Sequence, residues 1–282
     1  MDTKISSATR EIVIGYEHPI VLIGERINPT GKAKMAAALK SGNMDIIQEE
    51  ALAQVKAGAD VLDVNVSVLG LDEVELLPKA VETVMAAVDV PICIDSSNPD
   101  ALIAALKVYQ GKALVNSVSG DEHSMARILP VIKQYGAAVI GMAQDEGGIP
   151  TDAGKRIQIA EKIVARAEAL GIPKEDVIID SLVMAVGADP TAGITALETI
   201  KGIKDKLGVN QTIGSSNISF GMPDRGLINS TFLVAAIAAG LTCPIVDAAK
   251  ARPIILAIDL VLNRDSQARR YLEGYRERQA VV

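Results

Sequence analysis

Tryptophan is absent from the 282-residue chain, and aromatic residues are limited to two Phe and five Tyr. With hydrophobic residues at 49 % of the whole, the core must be built from Ala, Val, Ile and Leu, the finely divided packing that the layered interior of a parallel barrel requires. Only two cysteines and two histidines occur. Cys93 and Cys243 each sit in or beside a short apolar run, where a free thiol packs as a small hydrophobe. With only His18 and His123 elsewhere, no Cys/His group has zinc-ligand spacing, and no structural zinc site is expected.

Basic runs are missing as well. A net charge of −7, from 35 acidic and 28 basic residues, leaves no electrostatic footprint for nucleic acid. No window approaches the roughly 18 uninterrupted apolar residues of a spanning helix. The opening stretch, Met1 to Ile20, lacks a basic segment followed by a long apolar one, so a cytoplasmic protein with no membrane partner is expected. Phosphate loops are also missing: Gly24 to Lys32 and Gly147 to Lys155 each carry Gly followed later by Gly-Lys or Lys, but neither has the spacing or the Ser/Thr that a P-loop needs.

What the sequence does contain is repetition. Eight short apolar, β-branched runs recur: Ile20 to Gly24, Asp60 to Val66, Pro91 to Ile94, Ala113 to Val115, Ala137 to Met142, Val177 to Ile179, Gln211 to Ser215, and Pro244 to Val246. Between and after them lie helical periodicities over Asp45 to Ala57, Val74 to Val88, Asp100 to Tyr109, Ser124 to Tyr135, Ala153 to Leu170, Thr195 to Leu207, Leu227 to Ala239, and Pro253 to Asn263. Strand–helix alternation repeated in this way predicts one domain over residues 1–282, an α/β fold of the (β/α)8 TIM-barrel class. An additional strand at Glu11 to Gly15, joined to the first run through a Tyr16 to Pro19 turn, is expected in a short N-terminal capping hairpin. A polar helix over Ser266 to Arg278 is expected outside the barrel.

In such a barrel the active site lies at the C-terminal ends of the strands, and here those ends are polar. They carry Glu25 and Asn28, Asp63 and Asn65, Asp95, Asn116, Gln144 to Glu146, Asp180, Ser216 and Asn217, and Asp247. Single Asp or Asn residues at these places also serve as helix caps; a polar residue on every strand is harder to explain that way. No Lys, His or Cys stands among them, which removes Schiff-base and nucleophilic hydrolase chemistry. Two options stay open from the residues alone. The carboxylates Asp63, Asp95, Asp180 and Asp247 could hold Mg2+, as in a lyase, or the ring could accept from the N–H edge of a flat heterocycle.

Five motifs occur in order at these strand ends: Gly24-Glu25-Arg26-Ile27-Asn28, Asp63-Val64-Asn65-Val66, Ile94-Asp95-Ser96, Val115-Asn116-Ser117, and Gly214-Ser215-Ser216-Asn217-Ile218-Ser219-Phe220. With Arg225 to Phe232 following, the chain from about Val21 to about Asn263 resembles the pterin-binding family that includes methyltetrahydrofolate:corrinoid methyltransferases and the folate domain of cobalamin-dependent methionine synthase. The resemblance implies that Asp95, Asn116 and Asp180 hydrogen-bond the aminopyrimidine edge of a pterin, that Asn217 lies near N5, and that Arg225 orients the folate or its loop. It assigns Asn217 and Asp180 to catalysis, and adds Glu25, Asn28, Asp63 and Asn65 to the binding set. The implied activity is methyl transfer, in either direction, between tetrahydrofolate or methyltetrahydrofolate and a corrinoid (cobalamin) cobalt, without a protein nucleophile.

No DxHxxG segment of a cobalamin module occurs, so the corrinoid is expected on a partner protein that docks over the barrel mouth. The Gln144 to Pro150 loop is closer to the acidic form found in methionine synthases than to a lysine-containing form. The related dihydropteroate synthases share the barrel, but their first-strand loop and late basic pieces are absent here. A non-catalytic pterin-binding subunit is the other alternative. A homodimer through the outer helices, including Leu233 to Ala239 and Ile254 to Leu262, is expected.

Overall fold

In the computed structural model, which describes residues 1–280, the N-terminal segment forms an antiparallel hairpin of β1 (Thr3–Ser6) and β2 (Glu11–Ile14). The barrel strands follow: β3 (Ile23–Ile27), β4 (Val61–Val64), β5 (Ile92–Asp95), β6 (Leu114–Ser119), β7 (Ala138–Met142), β8 (Val177–Asp180), β9 (Gln211–Thr212) and β10 (Ile245–Val246). They form one eight-stranded sheet in the order β10-β3-β4-β5-β6-β7-β8-β9, with every neighbouring pair parallel. Between β9 and β10 the sheet closes by a single parallel bridge, Gly214 to Ile245, and by the Ile245 N–H bonded to the Ile213 carbonyl at 3.0 Å. The expected TIM-barrel class is therefore the observed one.

Ten α-helices accompany the strands among the described residues: α1 (Ala33–Lys40), α2 (Asp45–Lys56), α3 (Glu73–Ala87), α4 (Pro99–Val108), α5 (Glu122–Tyr135), α6 (Ala153–Ala169), α7 (Ala192–Lys206), α8 (Arg225–Ala239), α9 (Ala248–Val261) and α10 (Arg269–Ala280). Several starts follow from capping chemistry. Asp72, Asn98, Asp121 and Asp152 each accept a main-chain N–H of the following turn, and Pro99 takes the first helical position of α4, where no N–H is needed.

The pleat divides the apolar residues into two cores. Val61, Cys93, Leu114, Ala138, Ile140, Ile178 and Ile245 point inward and pack together, whereas Leu62, Ile92, Ile94, Val115, Val139, Val177 and Ile179 point outward beneath the helices. This is the period-two alternation of strands buried on both faces.

The inner core also contains Ile5 and Ile14, both fully buried, so the hairpin plugs the N-terminal end of the barrel. Polar bonds fix it there: Ser6 N–H to the Lys112 carbonyl at 2.9 Å, Tyr109 Oη to the Ser6 carbonyl at 2.8 Å, and Asn210 Nδ2 to the Ile14 carbonyl at 2.8 Å. Gly111, at φ 121°, lies against this seat, and a Cβ there would collide with the Ser6 carbonyl.

Three details differ from the sequence-based expectation. Thr3–Ser6, not the first barrel strand, pairs with Glu11–Ile14. Helix α1 went unpredicted because its eight residues carry only Met35 and Leu39 to the core and lack a side-chain cap. Helix α9 begins at Ala248, so Pro253 lies inside it and does not open it. The outer stripes on α8 and α9 are largely internal, since Leu233, Ala236, Ile237, Ile255, Leu256 and Ile258 are buried; Val234, Val261 and Leu262 face outward. Helix α10 is anchored on α9 by Arg270 Nη1 to Asp259 Oδ2 at 2.9 Å.

Removing the plug should be costly. Ile14→Ala leaves a cavity at the base of the inner core and is expected to lower unfolding free energy by about 2–5 kcal/mol in urea titrations; a loss below about 1 kcal/mol would show that the hairpin does not close the barrel.

Candidate functional site

The inward parity that builds the core also builds the mouth. Two residues beyond each inward apolar side chain, on the same face, comes Glu25 after Ile23, Asp63 after Val61, Asp95 after Cys93, Asn116 after Leu114, Asp180 after Ile178 and Asp247 after Ile245. Asn65 is two further along β4's path. The hydrogen bonds agree with this placement. Asn116 Nδ2 donates to Asp63 Oδ1 at 3.2 Å, although β6 and β4 are separated by β5, a contact that only the barrel interior allows. Asn65 Nδ2 donates to Asp95 Oδ2 at 3.0 Å, and Leu182 N–H donates to Asp180 Oδ1 at 2.8 Å.

No salt bridge joins Asp63, Asp95 or Asp180 to a cation among the described residues. Burial therefore dominates their titration. Asp63, 3 % exposed, is driven well above the usual carboxylate range by desolvation and by the nearby Asp95, against the opposing bond from Asn116. Desolvation raises Asp95 to about 6, opposed by the Asn65 bond. It raises Asp180 to about 6 as well, opposed by the Leu182 N–H and the positive charge of Arg156. Glu25 is shifted up by burial, opposed by the Ser216 Oγ bond at 3.3 Å. At neutral pH the seat thus presents Asp95 and Asp180 as carboxylates with spare lone pairs, and the Asn116 amide held from behind by Asp63.

The loop after β9 supplies the remaining parts. Residues Ser215–Ser219 form a 3-10 turn, which ends the β9 ladder and carries Asn217 to an exposed position at the rim. The Asn217 amide packs over Gly214, where a Cβ would lie 3.1 Å from Nδ2. Arg225 Nε donates to Ser219 Oγ at 3.0 Å, Nη2 donates to the Ser216 carbonyl at 3.1 Å, and the guanidinium stacks 4.6 Å from the Phe220 ring centroid. Arg225 consequently braces the loop that holds Asn217. A cavity of about 700 Å3 opens beside this loop, lined in part by Glu25, Ser216, Phe220, Arg225 and Asp247. A second, of about 690 Å3, lies on the outer flank against Arg26, Lys32 and Gln54.

Of the residues singled out from sequence, the hydrogen bonds link Asp63 with Asn116, Asp95 with Asn65, and Glu25 with the Asn217 loop. Asn28 stands apart: its Oδ1 accepts the Thr30 N–H at 2.9 Å and closes a turn in its own loop. Arg156 was overlooked. It is 1 % exposed and lies behind Asp180, bonded only to main-chain carbonyls. A signal existed, because Arg156 occupies the helical stripe that continues through Ala160, Ile163 and Ala167, all buried; a basic residue on an apolar stripe must have buried acceptors. Among the described residues, no group of three or more His, Cys, Asp and Glu side chains is arranged to hold a metal ion, and no helix is long and apolar enough to cross a membrane.

Fold and site together define a (β/α)8 barrel whose strand ends carry a ring of carboxyl and amide groups. Residues 24–247 match the model of the pterin binding enzymes, and the chain belongs to that family. It is 29 % identical over 263 residues to a methylcorrinoid:tetrahydrofolate methyltransferase of Eubacterium limosum, covering 92 % of this chain and 97 % of that protein. It is also 30 % identical over 284 residues to a methionine synthase of Mycobacterium tuberculosis, covering 93 % of this chain but only 24 % of that longer protein. Solved structures share the fold: a Yersinia pestis dihydropteroate synthase with a sulfonamide drug complex (TM-score 0.72, 15 % identity, 93 % and 100 % of the two chains) and a Xanthomonas albilineans dihydropteroate synthase with 4-aminobenzoic acid (TM-score 0.71, 17 % identity, 93 % and 99 %).

The raised carboxyls make a signed prediction. A carboxyl whose folded pKa exceeds its unfolded value destabilises the fold once ionised, and that cost is absent below about pH 4 and complete above about pH 6. Asp180→Asn keeps an acceptor for Leu182 N–H and removes the charge. It should be more stable than the native chain to urea at pH 8, with the gap closing toward pH 4; equal stabilities at both pH values would contradict the burial of an ionised Asp180.

Proposed function

We propose that the protein transfers a methyl group between N5 of tetrahydrofolate and the cobalt of a corrinoid carried by a separate protein. What supports this reading is the strand parity that puts Asp95, Asn116 and Asp180 on inward positions at the C-terminal ends of β5, β6 and β8, with neither carboxylate in a salt bridge among the described residues. The amino group and ring N–H of a pterin are adjacent donors. A carboxylate pairs with both at once, and a buried seat built for them rejects rings that lack them. Asn116 supplies one amide donor and one acceptor for the remaining edge, with Asp63 and Asn65 holding the amide and the Asp95 carboxylate in place.

The 29 % identity to the Eubacterium limosum methyltransferase, over nearly the full length of both chains, supports the choice of reaction. The corrinoid cobalt supplies the site that gives or accepts the methyl group. Displacement at N5 then needs no protein nucleophile: Cys93 lies beneath the carboxylates in the inner core, and burial pushes its thiol up. A methylated amine is a poor leaving group unless N5 is protonated or strongly hydrogen-bonded. Asn217, on the rim loop braced by Arg225, is the residue assigned to that nitrogen. Its amide donates or accepts as N5 changes protonation but brings no net proton, which a water ordered by Asn217 with Asp180 or Asp63 would deliver. Because one seat binds the folate in both methylation states, it serves both directions.

Glu25, on β3, borders the cavity beside the Asn217 loop and is assigned to the folate, and Asn28, turned into its own loop after β3, is assigned only to the approach. A cytoplasmic homodimer, joined where Val234, Val261 and Leu262 are exposed on α8 and α9, with a corrinoid protein docking over the strand-end loops, completes the assignment.

Mixing the protein with tetrahydrofolate and a methylated corrinoid protein should change the cobalt absorbance as the methyl group leaves. Asn217→Ala is expected to slow transfer roughly 100-fold, the scale of losing one donor at a reacting centre, while folate affinity changes only a few-fold. Absence of any spectral change with every corrinoid partner tried would overturn the reaction, and equal losses of transfer and affinity would remove Asn217 from N5.

A further inference from the structure

Arg156 stands in the first turns of α6, 1 % exposed. A buried guanidinium ordinarily faces a carboxylate, yet among the described residues Arg156 forms no salt bridge. Its donors go to three main-chain carbonyls. Nε bonds Pro150 at 2.7 Å, and Nη1 bonds Ser181 at 3.1 Å and Leu182 at 2.7 Å. Pro150 belongs to the loop after β7, and Ser181 and Leu182 follow β8, so one rigid fork sets the spacing of two neighbouring mouth loops.

Leu182 is held at both ends. Its carbonyl accepts from Arg156, and its N–H donates to Asp180 Oδ1 at 2.8 Å. Its backbone lies in the left-handed region, at φ 57°, which a branched side chain seldom adopts without such constraints. The orientation of the Asp180 carboxylate therefore runs through Leu182 to Arg156.

We propose that Arg156 is a positioning residue for pterin recognition, fixing the Asp180 carboxylate through Leu182. The inference rests on the reading that Asp180 pairs with the N–H edge of a pterin. Two effects follow. The fork aims the carboxylate, and the charge opposes the desolvation that otherwise raises Asp180 to about 6. The remaining ionisable neighbours are few: Cys243, just before β10, lies near Asp180 with its own thiol pushed up to about 12 by burial, and Asp189 lies near Arg156 in the β8–α7 loop.

The test compares Arg156→Met and Arg156→Lys with the native protein. Methyltetrahydrofolate affinity is measured from pH 5 to 8.5, and the Asp180 carboxyl is followed in the ligand-free protein by carbon NMR, since Asp95 titrates in the same range as Asp180. Native affinity should fall as pH drops through about 6. In Arg156→Met the Asp180 midpoint should move upward, and affinity at pH 7 should fall about tenfold or more. Arg156→Lys keeps the charge without the fork, so its midpoint should stay near the native one while affinity falls several-fold. An Asp180 midpoint that does not move in folded Arg156→Met overturns the proposal, whatever happens to affinity. If Arg156→Met fails to fold, native affinity in Arg156→Lys overturns it. Native protein that binds no folate would instead defeat the pterin reading, and the ligand-free Asp180 titration would still judge Arg156.

Discussion

Carboxylates set above an apolar core, Asp63 buried and Asp95 and Asp180 half-buried, with no salt bridge to any of them among the described residues, are the feature on which the rest of this protein turns. Asp63, Asp95 and Asp180 share their strand faces with Val61, Cys93 and Ile178, so the pleat that seals the lower barrel also delivers acceptors to the top. Taking such groups out of water costs free energy, and the chain offsets only part of it through Asn65, Asn116 and the Leu182 N–H. The lone pairs left over suit a ligand with adjacent N–H donors, and any ligand that satisfies them in the folded protein alone stabilises the fold.

The two ends of the barrel are handled in opposite ways. The N-terminal end is filled by Ile5 and Ile14 from the hairpin and locked by main-chain bonds, which leaves one accessible end. The seam between β9 and β10 is the least regular part of the sheet, because the chain leaves β9 after two residues to form the turn that carries Asn217. Side chains stitch this seam where the ladder is short: Thr212 Oγ1 donates to the Cys243 carbonyl at 2.6 Å, and Thr242 Oγ1 lies 2.9 Å from the Gln211 N–H and 3.1 Å from the Gln211 carbonyl. The Asn217 amide is thus mounted where the backbone leaves the barrel, and Arg225 braces the loop there.

Supports behind the seat matter as much as the seat. Asn65 behind Asp95, Asp63 behind Asn116 and Arg156 behind Leu182 and Asp180 each convert a flexible or misaligned acceptor into a fixed one. Preorganisation of this kind is effective because an acceptor that is already aimed loses little freedom on binding.

The sequence by itself determined the barrel, because eight apolar runs alternating with helical periods leave little other way to bury aliphatic surface on both faces of each strand. It also determined the polar ring, since position within each run fixes which residue follows the last inward apolar side chain. The short Thr3–Ser6 strand and helix α1 were not legible, since elements so brief are decided by what they pack against. Nor could the sequence show that Asn28 turns back on its own loop, that Asn116 reaches Asp63 across an intervening strand, or that Arg156 supports Asp180 from helix α6. The Asn28 turn is a local choice among several open to an Asn in a loop, whereas the other two pairings join residues far apart in the chain, and only closure of the barrel brings their donors and acceptors within hydrogen-bond distance.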